Sequence, residues 1–211
     1  MHPLVARIHP SLRTAFFAWV VTRGVLWLAA AAAGEPLWVE PTPQMAEGAP
    51  GWSLLVHSAG HLDSLWAIGS VGAGTLAITA VIEAALLAAL VGVYRFVRRD
   101  HLPAVAERAT WLWAAFPAMA STLPPGAWAF AIAGVAICLG ALSAGRHVLA
   151  LAAMIAAMSF KPEVLLIWPG AALLGWKTYR PNKQPPSTPW LLTLGPPAAF
   201  SATVVTAMHL A

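Results

Sequence analysis

Apolar residues occur in long blocks along this chain, and the polar residues fall almost entirely between the blocks. A helix needs roughly 17 to 25 mostly apolar residues to cross the hydrocarbon core of a bilayer. Thr14–Ala33 meets that length and predicts a first transmembrane helix. It could be taken for a cleavable signal, because it ends in consecutive alanines. A signal's apolar region is shorter, about 7 to 15 residues, and would not carry an arginine such as Arg23 in its middle. Residues 34–73 follow as a long outer loop with Pro36, Pro41, Pro43 and Pro50 and only acidic charges. Within it Trp52–Trp66 places Leu54, Leu55, Leu62 and Leu65 at helical spacing, with His57, His61 and Asp63 between them. That pattern predicts a helix lying in the membrane interface, a depth that suits Trp52 and Trp66.

Gly74–Val97 predicts the second span, closed by Arg95, Arg98 and Arg99. The third runs from Ala109 to Thr122 and is broken by Pro117. It turns at Pro124, Pro125 and Gly126 into a fourth that reaches Ala144. After a short basic turn at Arg146 and His147 come two abbreviated runs, Val148–Phe160 and Val164–Trp176, joined by Lys161, Pro162 and Glu163. One helix kinked at Pro162 is an alternative. It would put Lys177, Arg180 and Lys183 on the opposite side from every other basic loop, so two short helices meeting at Lys161 are expected instead. A linker, Pro181–Pro189, leads to a last span, Trp190–Ala211. The fold class is all-α: a polytopic transmembrane bundle of about seven spans, with residues 1–211 forming one membrane domain.

Composition supports this pattern. The chain has 211 residues, 59% hydrophobic and 9% charged, with a mean hydropathy of +0.72; soluble domains carry about a quarter charged residues. With the N-terminus cytoplasmic, ten of the twelve Lys and Arg residues fall on the inner side, leaving Arg23 in a span and Lys161 at the far side. That asymmetry fits a multi-pass protein of a bacterial inner (plasma) membrane. The pI near 9.8 therefore marks inner loops, and there is no soluble basic face for a nucleic acid to occupy. Cys138, the single cysteine, excludes an internal disulfide and reads as a core residue. No internal repeat supports an inverted-repeat transporter. Glycine-rich phosphate loops and CxxC, GxSxG and HExxH motifs are absent.

Candidate chemistry lies mainly in His57–Gly72, HSAGHLDSLWAIGSVG. Asp63 is placed to act as a general base at the membrane surface; a helix cap or a solvated loop charge is the alternative. His57 and His61 are four apart and with Asp63 could hold a divalent metal, the one cofactor the pattern suggests. Arg23 costs several kcal/mol, roughly, inside a bilayer unless it is paired. Glu83 in the second span is its natural partner, and an anion is the alternative. Lys161 at the tip of two short helices would suit a phosphate, or would pair with Glu163 in a tight outer turn. Arg23 and Glu83 together also permit an ion or proton pathway.

The phrase LDSLWAIGSVG resembles the first-loop motif, WDxxWYxxIAxxGY, of the GPI mannosyltransferase-like branch of the GT-C glycosyltransferases. FPAMASTLPPGAWAF, Phe116 to Phe130, is similar to a later family phrase, FPxxFFLSAPYSESLF. MSFKPEVLLIWP, Met158 to Pro169, is similar to a third, LTRPxGxLLxP. The resemblance covers most of the chain and ends where the family's variable C-terminal module begins. It implies transfer of a sugar, mannose for this branch, from a polyprenyl-phosphate sugar to an acceptor at the outer face. Asp63 would then be the base, and Lys161, replacing the family's arginine, would meet the donor phosphate. Arg23 falls where family members often carry an arginine, and His57, His61 and Trp66 flank the base as substrate contacts. The family's Tyr and Glu are missing, and Ala67 stands where a Tyr follows the first-loop Trp. Those absences favour a second expectation: a non-catalytic GT-C-like subunit that binds other membrane proteins. Membrane lipids are partners in either case.

Overall fold

In a computed structural model, residues 9–34, 50–68, 71–115 and 126–178 are described. They are almost entirely helical: α1 Pro10–Ala33, α2 Pro50–Leu65, α3 Ala73–Asp100, α4 Pro103–Ala114, α5 Ala127–Ser143, α6 His147–Phe160, a 3-10 helix Pro162–Ile167, and α7 Trp168–Thr178. A two-residue antiparallel ladder between β1 Ala67–Ile68 and β2 Val71–Gly72 joins α2 to α3. The linker Pro181–Pro189, the expected last span Trp190–Ala211 and the residues around Pro117 lie outside the described residues.

Local chemistry explains why the boundaries differ from the hydropathy blocks. α1 begins four residues before Thr14 because Pro10 occupies its first turn and the His9 ring accepts the Ser11 N–H. It ends on Gly34 in the left-handed conformation at φ 72°, which only glycine adopts readily. α4 likewise starts at Pro103, six residues before Ala109, with proline at its N-terminus.

α1 and α3 are long and apolar enough to cross a membrane; α5 and α6 are apolar but shorter. At 1.5 Å per residue, α1 spans about 36 Å and α3 about 42 Å. α3 is the central element and packs against α1, α2, α4 and α5. One core joins Ala15 and Ala18 of α1, Trp52, Val56 and Ala59 of α2, and Ile78, Ile82, Leu86 and Leu90 of α3. A second, between α5, α6 and α7, contains Cys138, Leu142, Met154, Trp168 and Ala171. Small residues bring these helices close: a Cβ on Gly92 would collide with the Ala136 backbone, and one on Gly134 with Ala153 and Ala157. The other face of α1 turns Phe16, Val20 and Val21 outward, together with Val25 and Leu28. That exposed apolar stripe suits lipid.

The chain breaks at Lys161, whose backbone is extended (φ −146°, ψ 100°). Beyond it Val164, Trp168 and Ala171 return to the α5–α6 core. Among the described residues the arrangement is a helical pair rather than one kinked helix.

Candidate functional site

Asp63 occupies the last turn of α2 and reaches the start of α3. Its Oδ1 accepts the Thr75 backbone N–H at 3.0 Å and its Oδ2 accepts the Thr75 hydroxyl at 2.9 Å. Thr75 is the third residue of α3, whose N-cap position, Gly72, has no side chain to satisfy the free N–H groups. Asp63 supplies that cap from the preceding helix, and its negative charge meets the positive end of the α3 dipole. Two glycines leave room for it. A Cβ on Gly72 would overlap the Asp63 carboxylate, and one on Gly74 would overlap the Ala59 carbonyl of α2. The phrase from Asp63 to Thr75 is therefore a helix-to-helix joint in which an acid, two glycines and a threonine each have a mechanical role. Gly72, Gly74 and Thr75 were not singled out from the sequence, although their fixed distance from Asp63 was visible there.

The histidines face elsewhere. His57 Nδ1 donates to the Ser53 carbonyl at 2.9 Å, and both His57 and His61 are exposed. At 100° per residue, Asp63 lies about 200° around the helix from His61, so one metal ion does not meet all three. Among the described residues no three His, Cys, Asp or Glu side chains are grouped to hold a metal. The structure does not group the expected set His57, His61 and Asp63. Trp66 follows the last residue of α2 and is 75% exposed, while its carbonyl accepts the Ala73 N–H at 3.0 Å.

Arg23 is buried and paired. Its Nε lies 3.0 Å from both Glu83 oxygens, and a terminal nitrogen donates to Oε1 at 2.6 Å. The Trp19 indole N–H, one turn earlier on α1, donates to Oε2 at 2.9 Å. The side chains of Arg23 and Glu83 are 5% and 7% exposed, so this is an ion pair in an apolar interior with several hydrogen bonds on the acid. Such a pair binds α1 to α3 and leaves Glu83 little freedom to exchange ligands.

Lys161 sits on an aromatic surface. Its Nζ is 5.1 Å from the centre of the Trp128 ring, a cation–π contact. Phe130 and Phe160 stack on each other at 4.3 Å, and Trp52 packs on Phe130 at 6.4 Å. Among the described residues no carboxylate pairs with Lys161, so the expected turn pair with Glu163 gives way to Trp128. The aromatic cluster also fixes α2: Gly51, at its beginning, lies against Ser159, two residues before Lys161. From Gly51 to Asp63 the helix rises about 18 Å. Asp63 lies in the last turn of α2, whereas Lys161 follows Ser159, which meets the first turn of that helix.

The chain matches no family model, no curated protein and no solved structure in the three comparisons made.

Proposed function

We propose that this chain is a multi-pass membrane protein, N-terminus cytoplasmic, in which a GT-C-like helical module serves as a non-catalytic subunit that holds other membrane proteins. The observation that carries this reading is the use of the three candidate charges as structural parts: Asp63 caps α3, Arg23 is neutralised by Glu83, and Lys161 lies over the Trp128 ring. The outward stripe of α1 supplies the apolar surface that lipid or a neighbouring span would cover.

A polyprenyl-phosphate sugar transferase is the second reading. It is favoured by one feature: each Asp63 oxygen accepts a single hydrogen bond, and the residue is only half-buried, so lone pairs remain for an acceptor hydroxyl.

Asparagine at position 63 separates the two. Asn caps a helix about as well as Asp but is no base, so Asp63→Asn is expected to shift stability by less than about 1 kcal/mol. Asp63→Ala is expected to cost about 1 kcal/mol, within 0.5–2. The measurement is thermal unfolding of both variants alongside mannose transfer from a polyprenyl-phosphate mannose donor by the full chain in membranes. A subunit shows no transfer above a chain-free control, in either form. Transfer by the wild type that vanishes in Asp63→Asn, with stability kept, establishes the transferase instead.

A further inference from the structure

At the end of the bundle away from Asp63 lies a cavity of about 780 Å³ between α1, α3, α5 and α6. Its depth is apolar, walled by Leu87, Val91 and Ile137, and its mouth carries Arg95, Arg99 and Arg146, with His9 beside them. Among the described residues no Asp or Glu lines it. Arg95 and Arg146 are exposed and make no ion pair among the described residues; Arg99 has one open contact, to Asp100 at 3.6 Å. Arg95 and Arg99 are one turn apart on the same helix, where like charges repel. Arg99 suits the C-terminal end of the α3 dipole, but the dipole gives no reason for Arg95, a full turn earlier, or for Arg146, which lies at the start of α6.

We infer that this cavity binds an anionic phospholipid, its phosphate between Arg95 and Arg146 and an acyl chain along Leu87 and Val91. The inference rests on the membrane reading above. Two properties together select the occupant. The cationic mouth with no carboxylate complements a phosphate, and an apolar depth of about 16 Å along α3, from Arg95 back to Ala84, has no use for a free inorganic anion. Basic pockets between spans, at the level of the headgroups, take anionic lipids by this division of labour. The His9 ring accepts the Ser11 N–H through Nδ1, so its Nε2–H is left as a further donor at the mouth.

The test uses the full chain purified in a neutral detergent. Dioleoylphosphatidylglycerol and dioleoylphosphatidylcholine are added at equal concentration, and retained lipid is counted by native mass spectrometry; inorganic phosphate is a third arm. The expected result is at least tenfold preference for the glycerol lipid. Arg95→Gln/Arg146→Gln should lose most of that preference. Val91→Trp, which leaves every charge in place and fills the depth, should reduce retention of both lipids. Equal retention of the two lipids by the wild type, or an unchanged preference in the double variant, overturns the proposal. Protection against unfolding by inorganic phosphate equal to that by the anionic lipid also overturns it, in favour of a free-anion site. Failure of the membrane reading is a separate outcome: the chain would then stay soluble and monodisperse with no detergent.

Discussion

Glu83→Ala is expected to destabilise the bundle by about 3–5 kcal/mol, the cost of leaving a buried charge without its partner. For a chain of this size that corresponds to a fall in melting temperature of about 10 °C. Removing Glu83 takes from Arg23 the acid that three of its nitrogen–oxygen contacts reach, and takes from the Trp19 indole its acceptor. Arg23→Ala should cost a similar amount for the mirror-image reason. The double variant Arg23→Met/Glu83→Leu is expected to recover most of the loss, because two well-packed apolar side chains often replace a buried pair at little net cost. Cys138 provides the measurement. It is fully buried in the second core and is the only cysteine, so the temperature at which it reacts with a fluorescent maleimide reports unfolding. If Glu83→Ala melts with the wild type, Arg23 is held by something other than this carboxylate. A chain that used Arg23 and Glu83 as an ion pathway would instead lose conduction in the double variant while keeping its stability.

How much of this was legible in the sequence depends on whether the cause was local. The apolar blocks located α1 and α3, and the leucine spacing around His57 located α2, because burial and helical period are written residue by residue. The Arg23–Glu83 pair was also foreseeable, since an arginine in the middle of an apolar run needs an acid and Glu83 is the acid within the next span. Helix starts were less legible: prolines at the first turn extended α1 and α4 beyond the apolar runs. The surroundings of Asp63 were legible only as alternatives. Whether a carboxylate serves as base, metal ligand or cap depends on what lies across from it, and here that is the α3 terminus, brought back by the short β1–β2 ladder. Lys161 shows the same limit. Its neighbour in sequence, Glu163, is exposed, while its partner Trp128 belongs to α5 and comes near only when α5 and α6 pack. The basic cavity was hidden for a third reason. Arg95, Arg99 and Arg146 read individually as markers of the inner side, and only the packing of α5 against both α3 and α6 gathers them around an apolar hollow.

Gly74→Ala is expected to be the second most damaging change, at about 2–4 kcal/mol, although a Gly-to-Ala change in a helix is ordinarily favourable by about 0.5–1 kcal/mol. The added Cβ meets the carbonyl, the carbonyl carbon and the Cα of Ala59, and backbone atoms have no alternative rotamer to adopt. α2 must therefore move off α3. Overpacking of that kind costs about 1–3 kcal/mol, and the shift also draws Asp63 from Thr75, adding the loss of a cap, about 1 kcal/mol. These two contributions share a cause, which makes them separable by a double-mutant cycle. Asp63→Ala should cost about 1 kcal/mol in the wild type and almost nothing once Gly74→Ala has displaced α2. Gly24→Ala is the control, since nothing lies within 4 Å of a Cβ at that position on α1; it should raise the melting temperature. Equal effects of Gly24→Ala and Gly74→Ala would show that α2 does not press on α3. Full additivity of Gly74→Ala with Asp63→Ala would show that the aspartate is not held there as a cap, and would return it to the pool of groups free to act on a substrate.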